Sequence, residues 1–282
     1  MEHTGNVLAQ RGNLSVIDCK MCGWAHLDPL PDAKTVEQYY RNDYYGNSSS
    51  WWRKELYEHT RGLWNTSYSF QASLLGSGRV VDWGCGAGFF AKWWRDRPLT
   101  SRSYGIEPND LARSYLGYSF LFPDVTYVSS VTSNHRASLV FEHIVEPRII
   151  LAQMKQFLLQ KILIIAPHDG PTNPLQVKLG GDWWLDKNHI NYFSPKGLSN
   201  LAEGMGLRVT YRGATFPIEL LALATGKDYR NDSVWGAKCH MFRLNFEKTL
   251  GTMAFRLYST LHKKLGWGRE LMYVLEEENC VY

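Results

Sequence analysis

The sequence predicts an α/β fold with a doubly wound, mainly parallel sheet, on three observations. From Arg79 onward, short apolar runs alternate with segments of helical period. One of those runs, Ile162–Ala166, is continuously apolar, as a strand buried on both faces must be. A glycine cluster, Gly84-Cys85-Gly86-Ala87-Gly88, closes the first of these runs and opens into a helix.

Arg79–Asp82 is read as a short buried strand and Phe89–Arg97 as a helix. Ser103–Glu107 is the next strand, and Asp110–Gly117 a helix after the Pro108 turn. Val125–Val128 and Leu139–Phe141 are expected as further short strands. Pro147–Leu159 carries Ile150, Leu151, Met154, Phe157 and Leu158 at helical spacing. The strand Lys161–Ala166 stops at Pro167. Ser194 as cap and Pro195 at the first position open a helix through Gly204, and Leu207–Tyr211 is the next strand. Phe242, Phe246, Leu250, Met253, Leu257 and Leu261 recur every three or four residues, which predicts one long amphipathic helix with a core-facing stripe. Glu270–Glu276 reads as a last strand returning to the sheet.

The amino-terminal part is different in kind. Asn13–Asp18 is expected as a strand running into Cys19-Lys20-Met21-Cys22-Gly23, followed by the turn-rich Asp28–Asp32. Ala33–Tyr40 reads as a helix capped by Asp32, and a longer helix runs from about Trp51 to Leu75. The expected organisation is a small module over residues 1–50, a core over 51–212, and a helical insertion with the returning strand over 213–282.

Composition sets bounds. With 282 residues, 44% hydrophobic, and a formal charge of +4, the chain buries a core and is not disordered. No run of 18 apolar residues exists, so no spanning helix is expected. Met1–Gly5 lacks the basic and apolar regions of a secretory signal. Five cysteines, an odd number, fit a reducing compartment, so a cytoplasmic location is expected. The balance of 31 basic to 27 acidic residues is too mild for a nucleic-acid-binding face. Six of the eleven tryptophans form the pairs Trp51-Trp52, Trp93-Trp94 and Trp183-Trp184. Adjacent side chains diverge on strands and helices alike, so one member of each pair is expected to be poorly buried.

The glycine loop carries the chemistry. A nicotinamide fingerprint is G-x-G-x-x-G, but here Gly88 is followed by Phe89 and Phe90. Asp82 precedes the first glycine by two residues; a carboxylate there repels a pyrophosphate but suits the ammonium of a zwitterion. Glu107, nineteen residues beyond Gly88, ends the next strand, where a carboxylate accepts both hydroxyls of a ribose. S-adenosylmethionine fits the description of a ligand with a ribose diol, an amino-acid tail and no diphosphate.

On these residues the sequence resembles the class I S-adenosylmethionine-dependent methyltransferases. Val81–Phe90 is similar to the family's first motif and Gly105–Asn109 to its second. Phe141-Glu142-His143-Ile144-Val145-Glu146-Pro147 is similar to the segment after the fourth strand. His189-Ile190-Asn191-Tyr192-Phe193-Ser194-Pro195 resembles the H-x-x-x-F-(S/T)-P signature of a subgroup found in bacterial glycan and natural-product pathways. The Cys-x-x-Cys-Gly segment, the later Phe216-Pro217-Ile218-Glu219-Leu220 and Gly266-Trp267-Gly268-Arg269-Glu270 also recur there.

The resemblance implies a Rossmann-like seven-stranded sheet with Asp82, Gly84, Cys85, Gly86, Gly88, Glu107, Pro108, Asn109 and Phe141 around the cofactor. Asn109 and backbone are expected to recognise the adenine, because Ser129–Ser138 lacks an acidic residue. The subgroup's amino-terminal zinc module carries two cysteine pairs, whereas this chain has Cys19 and Cys22 alone. His3 and His26 are the residues that could complete a site, but His3 lies in a terminus expected to fray, so a metal-free knuckle is expected. No catalytic metal is expected either, since the Glu that precedes the Glu-His pair by three residues in ubiquinone-pathway relatives is Leu139 here.

Methyl transfer to a hydroxyl needs a base, most often His. Beyond the strand ends the candidates are His143, His168, Asp169 and His189, with His189 the first choice. Trp183, Trp184 and Tyr192 are the expected substrate walls, and Cys85 is a packing residue. The expected activity is O-methylation of a small-molecule or sugar-containing substrate. An RNA methyltransferase and an inactive cofactor-binding assembly module are the alternatives.

Overall fold

The computed structural model describes residues 3–45, 54–97, 102–128, 133–180, 188–229 and 232–278. In chain order the amino-terminal elements are β1 (Gly5–Arg11), β2 (Leu14–Cys19), β3 (Ala25–Asp28), α1 (Ala33–Gln38) and α2 (Lys54–Leu75). Then follow β4 (Val80–Trp83), α3 (Phe89–Arg95), β5 (Ser103–Ile106), α4 (Asp110–Leu116), β6 (Leu121–Phe122), β7 (Ser133–Ser138), α5 (Pro147–Gln156) and β8 (Leu158–Pro167). The remainder is α6 (Pro174–Leu179), β9 (Asn191–Tyr192), α7 (Pro195–Glu203), β10 (Leu207–Ala214), α8 (Glu219–Thr225), α9 (Ser233–Leu250), α10 (Thr252–Leu265) and β11 (Glu270–Glu277).

Seven strands form one sheet in the order β10-β11-β8-β7-β4-β5-β6. The run from β6 to β8 is parallel, and β11 lies antiparallel between β8 and β10. β8 explains why both faces are covered. Ile162, Ile164 and Ala166 pack with α5 and α7 residues such as Leu151, Met154 and Leu198. Leu163 and Ile165 face the other way, onto Phe70 of α2, Trp94 of α3 and Phe255 of α10. Alternate side chains of a strand point to opposite faces, so a continuously apolar strand joins two cores. The chain runs outward from β4 to β6 and then reverses through β7, which opens a crevice at the carboxyl ends of β4 and β7. No helix among the described residues is long and apolar enough to cross a membrane.

Several expectations change. Leu139–Phe141 is not a strand: β7 is Ser133–Ser138, and a one-turn 3-10 helix follows over Phe141–His143. β7 is too polar to be recognised by pattern, yet Asn134, His135 and Arg136 are buried because each is paired. Asn134 Oδ1 accepts from Lys161 N at 3.0 Å, and Trp83 Nε1 donates to His135 Nδ1 at 3.0 Å. Arg136 donates from Nη1 to Asp82 Oδ1 at 2.5 Å and from Nε to Gln71 Oε1 at 2.7 Å. Val125–Val128 is a 3-10 turn over Val125–Tyr127, because the Asp124 carboxylate caps Thr126 N; the strand is the preceding Leu121–Phe122.

The expected long helix is two, α9 and α10, broken at Gly251 with φ +57. Its apolar stripe is not core-facing throughout: Phe242, Leu250, Met253 and Leu257 are exposed, while Leu244, Phe255 and Tyr258 are buried. Trp93 and Trp94 are both buried, against expectation, as α3 is flanked by α2 and the sheet. The other two tryptophan pairs lie outside the described residues.

The amino-terminal strands form a second sheet, β1-β2-β3-β9, whose last member comes from far along the chain. Ala25 pairs with Tyr192 and His26 with Asn191. Asn191 secures this junction: its Oδ1 accepts from Trp24 Nε1 at 2.8 Å, and its Nδ2 donates to the carbonyls of Phe141 at 2.9 Å and Ile144 at 2.6 Å. Replacing Asn191 with Ala is expected to cost about 2–4 kcal/mol, because three buried polar groups lose their partner together; chemical denaturation measures it. Asp82→Asn leaves Arg136 charged in the interior and is expected to cost about 3 kcal/mol. The double variant Asp82→Leu, Arg136→Met, which removes both buried charges, should recover most of that stability.

Candidate functional site

Where β4 ends, Gly84 adopts φ +61, and a Cβ there would stand 2.5 Å from Val140 Cγ2. Only glycine permits this close passage of the loop beneath the segment after β7. The loop then turns into α3 at Gly88, where φ is +81 and a Cβ would meet Leu121 at 2.8 Å. Between them the Gly86 amide donates to Glu107 Oε2 at 3.0 Å, while Glu107 Oε1 accepts from Asn109 N at 3.0 Å. Burial raises the Glu107 carboxyl above its ordinary range, against the pull of these two amides. The Tyr45 hydroxyl lies above, 3.5 Å from Glu107 Oε2.

This loop floors a cavity of about 990 Å³. Of the residues expected to hold the cofactor, Gly84, Cys85, Gly86, Glu107 and Pro108 line it. Asp82, Gly88, Asn109 and Phe141 do not. The Asp82 carboxylate is paired with Arg136 in the interior and is not among the residues that line the cavity. Asn109 caps α4, its Oδ1 accepting from Ala112 N, and its Nδ2 donates to the carbonyls of Tyr40 and Arg41. It therefore ties down the aromatic segment over the cavity. Phe141 belongs to the core under the sheet. Asp124, which the sequence reading passed over, lines the cavity beyond β6. The half-buried Cys85 thiol is pushed well above its ordinary range by desolvation and by the carboxylates of Asp82 and Glu107, which fits a packing role.

At the other end of the cavity stand His143, Asp169 and His189. His189 Nδ1 lies 3.0 Å from Asp169 Oδ2, and a carboxylate partner makes Nδ1 the protonated nitrogen and Nε2 the basic one. Asp169 is in turn bound by Arg269 Nη1 at 2.9 Å, and Arg269 reaches Glu219 Oε1 at 3.2 Å. Burial raises the Asp169 carboxyl, but Arg269 and the His189 hydrogen bond outweigh it and hold it below its ordinary value. Gln176 Nε2 donates to Glu219 Oε1 at 2.9 Å and closes the network.

The His143 ring meets that of His189 edge-on at 5.0 Å. Its Nδ1 is 2.8 Å from both the Asn188 carbonyl and the Tyr40 hydroxyl. A carbonyl only accepts, so Nδ1 carries the proton. Glu142, His143 and His189 each bring a nitrogen or carboxylate oxygen to within 4.8 Å of the other two.

Two expected substrate residues are elsewhere. His168 is buried with its Nε2 on the Thr172 carbonyl at 2.7 Å, and burial lowers it to about 4. Tyr192 is 1% exposed and packs with Val16, Ala25 and Leu27 in the second sheet, because β9 pairs with β3. Trp183 and Trp184 lie outside the described residues. Glu219 and Arg269 were visible only as parts of two recurring late segments; the fold brings both segments together behind Asp169.

Residues 57–212, more than half of the chain, match the model of a methyltransferase-domain family. No curated protein matches the chain in sequence. Among solved structures, a SAM-dependent methyltransferase from Archaeoglobus fulgidus is 18% identical, with 78% of this chain and 94% of that one covered and a TM-score of 0.49. A methyltransferase in complex with the Haloferax volcanii Trm112 activator is 14% identical, with 80% and 96% covered and a TM-score of 0.50. The plantazolicin methyltransferase BpumL in complex with SAH is 15% identical, with 87% and 95% covered and a TM-score of 0.49. The matched span contains the glycine loop, Glu107, His143, Asp169 and His189 on the seven-stranded sheet, and the chain belongs to the methyltransferase-domain family.

Proposed function

We propose that the chain is an S-adenosylmethionine-dependent methyltransferase that methylates a hydroxyl of a small-molecule or sugar-containing substrate in the cytoplasm, with His189 as general base. The observation that carries this reading is the His189–Asp169 pair, set in the wall of the same cavity that Glu107 and the glycine loop floor. When bound, S-adenosylmethionine supplies an electrophilic sulfonium methyl group. Glu107 has both carboxylate oxygens oriented by amides and suits a ribose diol; the loop from Gly84 to Gly88 allows backbone approach. Asp124 offers a carboxylate to an exocyclic amine, in place of the role expected of Asn109.

With a hydroxyl acceptor in the cavity, His189 Nε2 is the group that would accept its proton as the methyl group passes from sulfur to oxygen and the neutral thioether departs. Asp169 would stabilise the resulting imidazolium. Arg269 keeps Asp169 ionised, and Glu219 holds Arg269 in place. The mild positive charge gives no support to an RNA substrate.

Isothermal titration with S-adenosylmethionine and its demethylated product tests the cofactor reading, since an inactive assembly module binding neither would refute it. Glu107→Gln is expected to weaken cofactor affinity about 10- to 100-fold. In the unsubstituted protein, affinity should fall on acidification at a pH above the ordinary carboxylate value of 4.5, because the ionised form binds and burial raises Glu107. His189→Gln is expected to lower kcat by about 10²–10⁴-fold while cofactor affinity stays unchanged. Unaltered turnover in that variant would exclude His189 as the base.

A further inference from the structure

Outside this cavity, His3, Cys19, Cys22 and His26 converge on one end of the second sheet, with one donor atom from each within 4.8 Å of all the others. Cys19 closes β2, His26 lies in β3, and His3 stands just ahead of β1. His3 is not frayed. The Thr4 carbonyl accepts from Lys20 N at 3.0 Å, and Gly5 pairs with Cys19 at the start of the β1–β2 ladder.

The spacing of the donors is that of a tetrahedral centre. His3 Nδ1 lies 3.1 Å from His26 Nε2, 3.5 Å from Cys19 Sγ and 3.4 Å from Cys22 Sγ. Zinc bonds of about 2.0–2.1 Å to nitrogen and about 2.3 Å to sulfur require tetrahedral edges of about 3.3 Å (N to N) and about 3.6 Å (N to S). The tautomer of His26 is also set for ligation. Its Nδ1 is 2.7 Å from the Leu27 carbonyl, which only accepts, so Nδ1 is protonated and the Nε2 lone pair points into the cluster. The Cys22 amide donates to Cys19 Sγ at 3.4 Å, a bond that a metal-bound thiolate strengthens. Cys19 and His26 are each 1% exposed.

We propose that His3, Cys19, Cys22 and His26 bind one structural zinc ion in a closed two-cysteine, two-histidine site. The expectation of a metal-free knuckle rested on a frayed His3; the β1–β2 ladder instead holds His3 beside Cys19, Cys22 and His26. The ion ties the start of β1 to β3, and the opposite edge of β3 carries β9, where Asn191 faces His26. It therefore splints the strand that follows His189. The metal assignment does not depend on the catalytic reading.

Zinc in the full chain, purified without chelator, is measured by inductively coupled plasma mass spectrometry; about one ion per chain is expected. Cys22→Ser and His26→Gln should each lose it, and Cys239→Ser, a buried cysteine remote from the cluster, should retain it. Replacement by Co²⁺ in the unsubstituted protein should give the intense visible bands of tetrahedral cobalt with thiolate charge transfer, a readout that needs no variant to fold. Metal removal should speed amide exchange at Tyr192 while β8 stays protected. A chain that carries no zinc and takes up neither zinc nor cobalt overturns the site. Unchanged exchange at Tyr192 after removal overturns the splint.

Discussion

The Asn191 carboxamide is the joint on which the two sheets depend. It takes one hydrogen bond from Trp24 of the amino-terminal module and gives two to the carbonyls of Phe141 and Ile144 beyond β7. Two residues earlier in the chain is His189. A side chain that joins three segments at fixed hydrogen-bond lengths leaves little freedom in the backbone beside it. The placement of His189 next to Asp169 thus depends on a polar side chain two residues away that does not touch either of them. The second sheet is tied to the first: β9, which begins two residues after His189, pairs with β3 and forms its edge.

Buried charge is divided between two tasks. Asp82 and Arg136 neutralise each other between adjacent strands, with the guanidinium stacked 4.1 Å over the Phe90 ring. Nothing in that arrangement is presented to a ligand. Asp169 and Glu219 are a second pair of buried charges, joined by the half-buried Arg269, but here one carboxylate oxygen is turned outward to His189. Interior ion pairs stabilise little in net terms, because desolvation offsets their attraction. Their value in the second group lies in holding an anion at a fixed point on the cavity wall.

Much of this was legible in the sequence. The Ser194-Pro195 start of α7 is borne out, with Ser194 Oγ accepting from Gly197 N, as is the Asp32 cap of α1. These signals are local, so neighbouring residues suffice to reveal them. The strand β8 was equally plain from its unbroken apolar run. β7 was hidden because its buried residues are polar and are compensated by partners more than fifty residues distant, such as Asp82 and Trp83. The site divides in the same way. Glu107 and the glycines could be placed from the ends of strands, since backbone topology alone carries them to the crevice. Asp82, Asn109 and Tyr192 could not, because each is claimed by another part of the chain. Pattern shows where the main chain goes, and long-range pairing decides which way a side chain is committed.

The antiparallel position of β11 between β8 and β10 has a consequence for assembly. Arg269, the cation that separates Asp169 from Glu219, immediately precedes that strand. During synthesis on a ribosome, both carboxylates emerge well before their shared counter-ion. Until it arrives they repel one another, and the gap beside β8 is unfilled. The wall that carries the His189–Asp169 pair is therefore complete only with the closing strand in place, so the edge of the sheet and this face of the cavity share Arg269.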